Sequence, residues 1–318
     1  MEASTAASKS PESIDLSASF YVYIAMGLLG LLGNTFVCLV MLRYPKVFNS
    51  TTNKLILHQS VIDLVASLVF LLRRFLVVST PVPDGVVGSL YCTLWWSEWP
   101  QYGMFVASTY NLVAISLERY GATCHPACHR NRLTGKRLSC TMVGVWICGW
   151  LPEAPILWTT YSSNDSCHAT WPSHLVQAVT GILILLWELV IPISIMIFAY
   201  TKVSLELRKR SKARVRNNDA RKMLSKANMN VTKTLVVVAI CFAVCWIPTD
   251  VNYILLNLGL NGNSTDSVFY QATGAIVVIN LCINPIIYCF TYDRFKKQLR
   301  KMVCGGCIGR SNQIDTLR

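Results

Sequence analysis

A few polar and ionisable side chains interrupt the long apolar blocks of this chain, and any chemistry must reside with them. Asp63 stands at the centre of one block, where an acid costs roughly 2.5–3.5 kcal/mol to insert and is expected to face a partner or a polar interior. Glu188 lies one turn before Pro192 and Asp250 just after Pro248, so both acids sit near prolines that bend helices. Glu98 belongs to the same candidate cavity, beside Arg73 and Arg74. Acids around one cavity favour a ligand with guanidinium or amine groups, whereas the arginines suit a carboxylate. The plainer alternative leaves Glu98 in a watery vestibule and lets both arginines snorkel to the surface. A second constellation, Glu118-Arg119-Tyr120, places an acid beside an arginine at the far end of a block that follows Cys92. All of this is binding and charge-pairing chemistry. His58, His125, His129, His168 and His174 are scattered, with neither a nucleophile nor metal-ligand spacing, so no enzyme is expected.

Long helices must hold these groups. Of the 318 residues, 53% are hydrophobic and only 14% charged, and the apolar residues come in blocks rather than on short amphipathic faces. Spans are expected at about 21–42, 55–78, 94–117, 138–158, 175–200, 231–256 and 268–290, each near or above the ~20 residues a crossing needs. The fold class is therefore an all-α, seven-transmembrane helix bundle. Residues 1–19 form a polar tail without the pattern of a cleavable signal, 20–290 the bundle, 291–303 an amphipathic surface helix and 304–318 a second tail.

A net charge of +13 invites a nucleic-acid reading, but the placement of the charges argues otherwise. Apart from Lys9, Arg73 and Arg74, the Lys and Arg residues, 26 of the 29, fall in alternate loops, the span ends beside them or the C-terminal tail. By the positive-inside rule those parts are cytoplasmic and the N-terminus is outside. Only Cys92 and Cys167 of the 13 cysteines then lie on the oxidising side, so one bridge between them is expected. Asn164 and Asn263 begin glycosylation sequons in outer loops, while those at Asn49 and Asn230 lie inside and should go unused.

Further motifs concern movement and anchoring. Cys245-Trp246-Ile247-Pro248 puts an indole beside a proline hinge, and Asn284-Pro285-Ile286-Ile287-Tyr288 bends the last span, with Asn280 one turn earlier. Phe295, Leu299 and Met302 make an apolar stripe among basic residues that suits the lipid surface. Cys304 and Cys307 follow, better placed for palmitoylation than for zinc.

With these residues in view, the sequence resembles the rhodopsin-like (class A) family of G-protein-coupled receptors. The likeness rests on Gly33-Asn34, Asp63, Glu118-Arg119-Tyr120 with Cys124-His125-Pro126, Trp146, Pro192 with Tyr200, and the two proline motifs, in order across all seven spans. It implies that Glu118 holds Arg119 when the receptor is idle. Arg119 is then freed to meet a heterotrimeric G protein, while Tyr200 and Tyr288 rearrange and Asn284 and Pro285 shape the bend. It implies arrestin as a further partner and no cofactor, although sodium is an allosteric ligand in the family. Its pocket would be Asp63, Ser108, Asn280 and Asn284. Trp246 would sense the ligand from below, above Phe242 and Pro192, and Thr109 replaces a usually larger residue in that connector.

The resemblance also bears on the ligand. Gln101 occupies the position where amine receptors carry an aspartate, as in several neuropeptide receptors, and the seventh span lacks the lysine that retinal needs. The ligand pocket is expected to comprise Glu98, Gln101, Glu188, Trp246, Asp250, Tyr253, Arg73 and Arg74, and the ligand to be an extracellular peptide. A small-molecule, amine-type or constitutively active orphan receptor of the same fold remains open. A transporter or channel would show half-repeats or a continuous polar lining, and seven spans resist halving. Three departures stand out. Cys92 to Arg119 is 27 positions, two more than usual, which a bulge at Pro100 would absorb. Ala127 replaces a bulky residue that enters the G protein. Asn228 replaces an acid that in some members pairs with the arginine across to the sixth helix.

Overall fold

The apolar blocks fold as helices in a computed structural model that describes residues 18–76, 81–83, 85–132, 135–212, 219–260 and 268–308. The bundle comprises α1 (Ala18–Arg43), α2 (Thr51–Phe75), α3 (Trp99–Cys124), α4 (Gly135–Trp150), α5 (His174–Leu185), α6 (Ile191–Lys212), α7 (Asp219–Asn257) and α8 (Val268–Thr291). A π turn at Leu186–Val190 joins α5 and α6 into one span, and α9 (Asp293–Ile308) follows the bundle. Leu29, Leu32, Leu39, Ile147, Ile197 and Val244 point outward, a continuous apolar exterior that suits hydrocarbon rather than water. Inside, α3 packs against α2, α4, α6 and α7, while α1 closes the ring between α2 and α8.

Among the described residues, five segments are long and apolar enough to cross a membrane: Phe20–Arg43, Thr51–Phe75, His174–Arg210, Met229–Asn257 and Ala272–Thr291. The third span falls short of that apolarity because α3 is the central helix. Its buried Gln101, Ser108, Thr109, Asn111, Ser116 and Glu118 meet protein rather than lipid. The fourth is shorter than the sequence suggests: α4 has 16 residues, about 24 Å of helix. It stops at Trp150 because Pro152 and Pro155 supply no N–H, and the chain turns before a short helix at Ile156–Thr159.

The extra length of the third span is absorbed ahead of Pro100, not at it. Tyr91–Trp96 form a π turn, Glu98 takes a left-handed conformation at φ 63°, and a regular helix begins at Trp99. Pro100 then sits in the first turn, where its missing N–H leaves no bond unmade. Strands β1 (Thr160–Ser163) and β2 (Ser166–Ala169) form an antiparallel hairpin over this end. Its two-residue turn, Asn164-Asp165, has φ of 49° and 57°, the positive angles that match strand twist. The expected bridge is present: Cys92 and Cys167 are disulfide-bonded with Cα atoms 5.4 Å apart, tying the hairpin to the top of the third span. The sequon at Asn164 lies at the exposed hairpin tip, and Asn263 lies outside the described residues. Cys304 and Cys307 fall on the last turns of α9, with side chains outside the described set.

Candidate ligand and switch sites

At the Cys92 end of the bundle, the buried acids are Glu153, Glu188 and Asp250, with 8%, 5% and 4% of their surface exposed. Glu188 is turned inward by the π turn that the chain adopts just before Pro192, whose ring would clash with the carbonyl four residues back in a regular helix. Glu153 comes from the turn between Pro152 and Pro155, its carboxyl within hydrogen-bonding reach of Glu188. Asp250, on α7, is close enough to interact electrostatically with both. Among the described residues, Glu153 Oε1, Glu188 Oε1 and Asp250 Oδ2 have no hydrogen-bond partner, and neither has the buried Gln101 Oε1. In a low-dielectric interior such a cluster attracts a cation strongly.

Glu98 is placed differently. It meets Arg73 at 2.7 Å and is 46% exposed. Arg73 also donates to the Trp95 carbonyl and lies over the Trp95 ring, and Arg74 sits 4.3 Å over the Tyr23 ring. Beneath the acids, Trp246 packs edge-on to Phe105 and tilted against Phe242, with its indole N–H unpartnered. Tyr253, half-buried, is on the turn of α7 beyond Asp250.

One level down, Asp63 is fully buried and receives four hydrogen bonds. Oδ1 accepts from Ser108 Oγ at 2.7 Å and Gln59 Nε2 at 3.1 Å, and Oδ2 from Asn284 Nδ2 at 2.9 Å and Gln59 Nε2 at 3.2 Å. Asn280 Oδ1 and Asn284 Oδ1 are buried without partners among the described residues. Gln59 continues a line of bonds: Asn111 Nδ2 donates to Gln59 Oε1 at 2.8 Å, His58 Nδ1 meets Asn111 Oδ1 at 2.9 Å, and Trp146 Nε1 donates to His58 Nε2 at 3.1 Å.

At the other end, Arg119 makes a two-point contact with Glu118 at 2.8 and 3.1 Å. Thr52 Oγ1 donates to the same carboxylate at 2.6 Å, and His129 stands 3.5 Å away. Tyr120 contacts His125 at 3.1 Å, whereas Tyr200 and Tyr288 are buried below the Asp63 level, the Tyr288 hydroxyl unpartnered. Asn230, on α7, grips the junction of α8 and α9 twice: Nδ2 donates to the Thr291 carbonyl at 2.8 Å and Oδ1 accepts from the Asp293 N–H at 3.0 Å.

Three participants escape a reading of the sequence. Glu153 reads only as part of a proline-flanked helix stop, although an acid between two prolines at a span end was a usable signal. Gln59 and Asn111 are neutral residues inside apolar blocks, and only their convergence on Asp63 marks them.

A family profile described as 7 transmembrane receptor (rhodopsin family) matches residues 33–288. The chain is similar to the somatostatin receptor type 1 of Rattus norvegicus, 26% identical over 89% of this chain and 71% of that receptor. It is similar also to the galanin receptor type 1 of Rattus norvegicus, 27% identical over 94% of this chain and 88% of that one. A third relative is the cholecystokinin receptor of Xenopus laevis, 25% identical, with 91% and 77% covered.

Proposed function

The chain belongs to the rhodopsin family of seven-transmembrane receptors, and from that premise we propose that it is a cell-surface receptor for an extracellular peptide with a basic group. The observation that carries this reading is the trio Glu153, Glu188 and Asp250, buried and incompletely partnered at one end of the bundle. The similarity to receptors named for somatostatin, galanin and cholecystokinin supports a peptide. In this reading the hairpin end faces outward, the Arg119 end faces the cytoplasm, and the protein resides in the plasma membrane.

An arginine, lysine or N-terminal ammonium enters above Trp246 and is held by the trio, which draws the outer part of α7 toward the π turn. Because Pro248 interrupts the backbone ladder of α7, its two halves move as a hinged pair. The inner half swings away, Asn230 leaves the α8–α9 junction, and Arg119 exchanges Glu118 for a heterotrimeric G protein. No bond chemistry is involved; the ligand acts by its differential affinity for two bundle conformations. Arrestin competes for the same opened face.

The test is a screen of secreted peptides and of amines on cells expressing the full chain, read by Gα activation. A basic peptide should activate, and neutralising it, by acetylating its amines and replacing its arginines with citrulline, should abolish the response. Activation by amines with no responding peptide would overturn the reading.

A further inference from the structure

The resemblance implies a sodium ion beside Asp63, and the residues present do not fit one. Three N–H and O–H donors converge on this carboxylate: Ser108 Oγ on Oδ1, Asn284 Nδ2 on Oδ2, and one hydrogen of the Gln59 amide shared between both oxygens. The same nitrogen donates to Ser108 Oγ, so it faces the three oxygens that a cation would need.

The orientation of that amide is fixed by chemistry at both ends of the line. Trp146 Nε1 can only donate, so His58 Nε2 accepts from it, and Nδ1 carries the proton and donates to Asn111 Oδ1. The Leu55 carbonyl can only accept, and it takes a bond from Asn111 Nδ2 at 3.0 Å. Asn111 therefore presents N–H to Gln59, Gln59 answers with Oε1, and its Nε2 is left facing Asp63. A flipped Gln59 would set donor against donor at Asn111 and acceptor against acceptor at Asp63.

We infer that the Gln59 amide takes the place of the cation at Asp63, so that this receptor lacks a sodium site. Among the described residues the carbonyl oxygens of Asn284, whose Nδ2 bonds Asp63, and of Asn280, one turn earlier on α8, have no donor. Removing the amide leaves them, with Asp63 and Ser108, as an oxygen-lined cradle that sodium can enter. The bundle is thus held at this level by an internal line from Trp146 to Asn284, not by an ion whose concentration differs across the membrane.

The experiment is thermal unfolding of the purified full chain in sodium chloride and in choline chloride at equal ionic strength, for the wild type, Gln59→Leu and Gln59→Met. The methionine keeps volume and a weak acceptor toward Asn111, and serves where the leucine variant does not fold. The wild type should melt at the same temperature in both salts. A folded variant should gain roughly 2–4 °C in sodium, saturating with concentration. A saturable, sodium-specific rise in the wild type overturns the inference, and so does a folded variant that gains nothing.

Discussion

Asn230→Ala should raise ligand-free signalling, because it removes the clasp that joins the inner half of α7 to the start of α9. Asn230 makes two hydrogen bonds to backbone groups, at 2.8 and 3.0 Å. Each is worth about 0.5–1.5 kcal/mol net. Asp293 is exposed, so its freed N–H finds water at once, and the lower part of that range applies. A loss of about 1–2 kcal/mol is roughly a 5- to 30-fold change in equilibrium. An open state populated near 1% would then rise to roughly 5–25%. The assay is Gα activation without ligand, at surface expression matched to the wild type. Asn230→Gln, which keeps the amide on a longer arm, should fall between the two. Basal signalling unchanged in Asn230→Ala would show that the clasp does not restrain the opening of α7, and the proposed movement would have to be abandoned.

Three further outcomes follow from the same geometry. Asp250→Ala should lower agonist potency at least tenfold, about 1.4 kcal/mol, without reducing surface expression; Glu153→Gln should lower it in the same assay, and unchanged potency in both would remove the trio from ligand binding. Thr109 is buried on α3, its hydroxyl bonded to the Phe105 carbonyl at 3.2 Å. Thr109→Ile should fill the connector and reduce ligand-free signalling several-fold, and no change would count against a loosened connector. At Gly149 an added Cβ would stand 2.5 Å from the Gly103 carbonyl oxygen and 2.7 Å from Ala107 Cβ. Gly149→Ala must therefore part α3 from α4 and should cost about 1–3 kcal/mol, read as a lower unfolding midpoint of the purified receptor.

Apolar blocks longer than a bilayer, with their charges sorted to alternate loops, leave little choice but a helical bundle. That is why the spans were legible and why the Cys92–Cys167 bridge followed from compartment alone. The ends of the spans were less so. Residues 151–158 are apolar enough to extend the fourth span, but two prolines stop the helix at Trp150. The π turns at Tyr91–Trp96 and Leu186–Val190 leave no periodic trace of their own, yet they decide which side chains turn inward. The sequence puts Glu188 at the depth of a helix-bending proline, whereas Glu98 reads equally as a cavity acid beside Arg73 and Arg74 or as a residue of a watery vestibule. The left-handed turn at Glu98 and the packing of α2 bring it into an ion pair with Arg73. Charged residues announce themselves in an apolar block; neutral amides such as Gln59 and Asn230 do not, because their role depends on which acceptors the fold brings to them.

The most direct measurement of the central claim is nucleotide exchange on purified Gα subunits by the reconstituted receptor, with a basic peptide and with the same peptide neutralised, its amines acetylated and its arginines replaced by citrulline. Acceleration by the first, its loss with the second, and its loss in Asp250→Asn at unchanged folding are the predicted results. Exchange that no peptide accelerates on any Gα class, or acceleration indifferent to both neutralisation of the peptide and Asp250→Asn, would contradict the account.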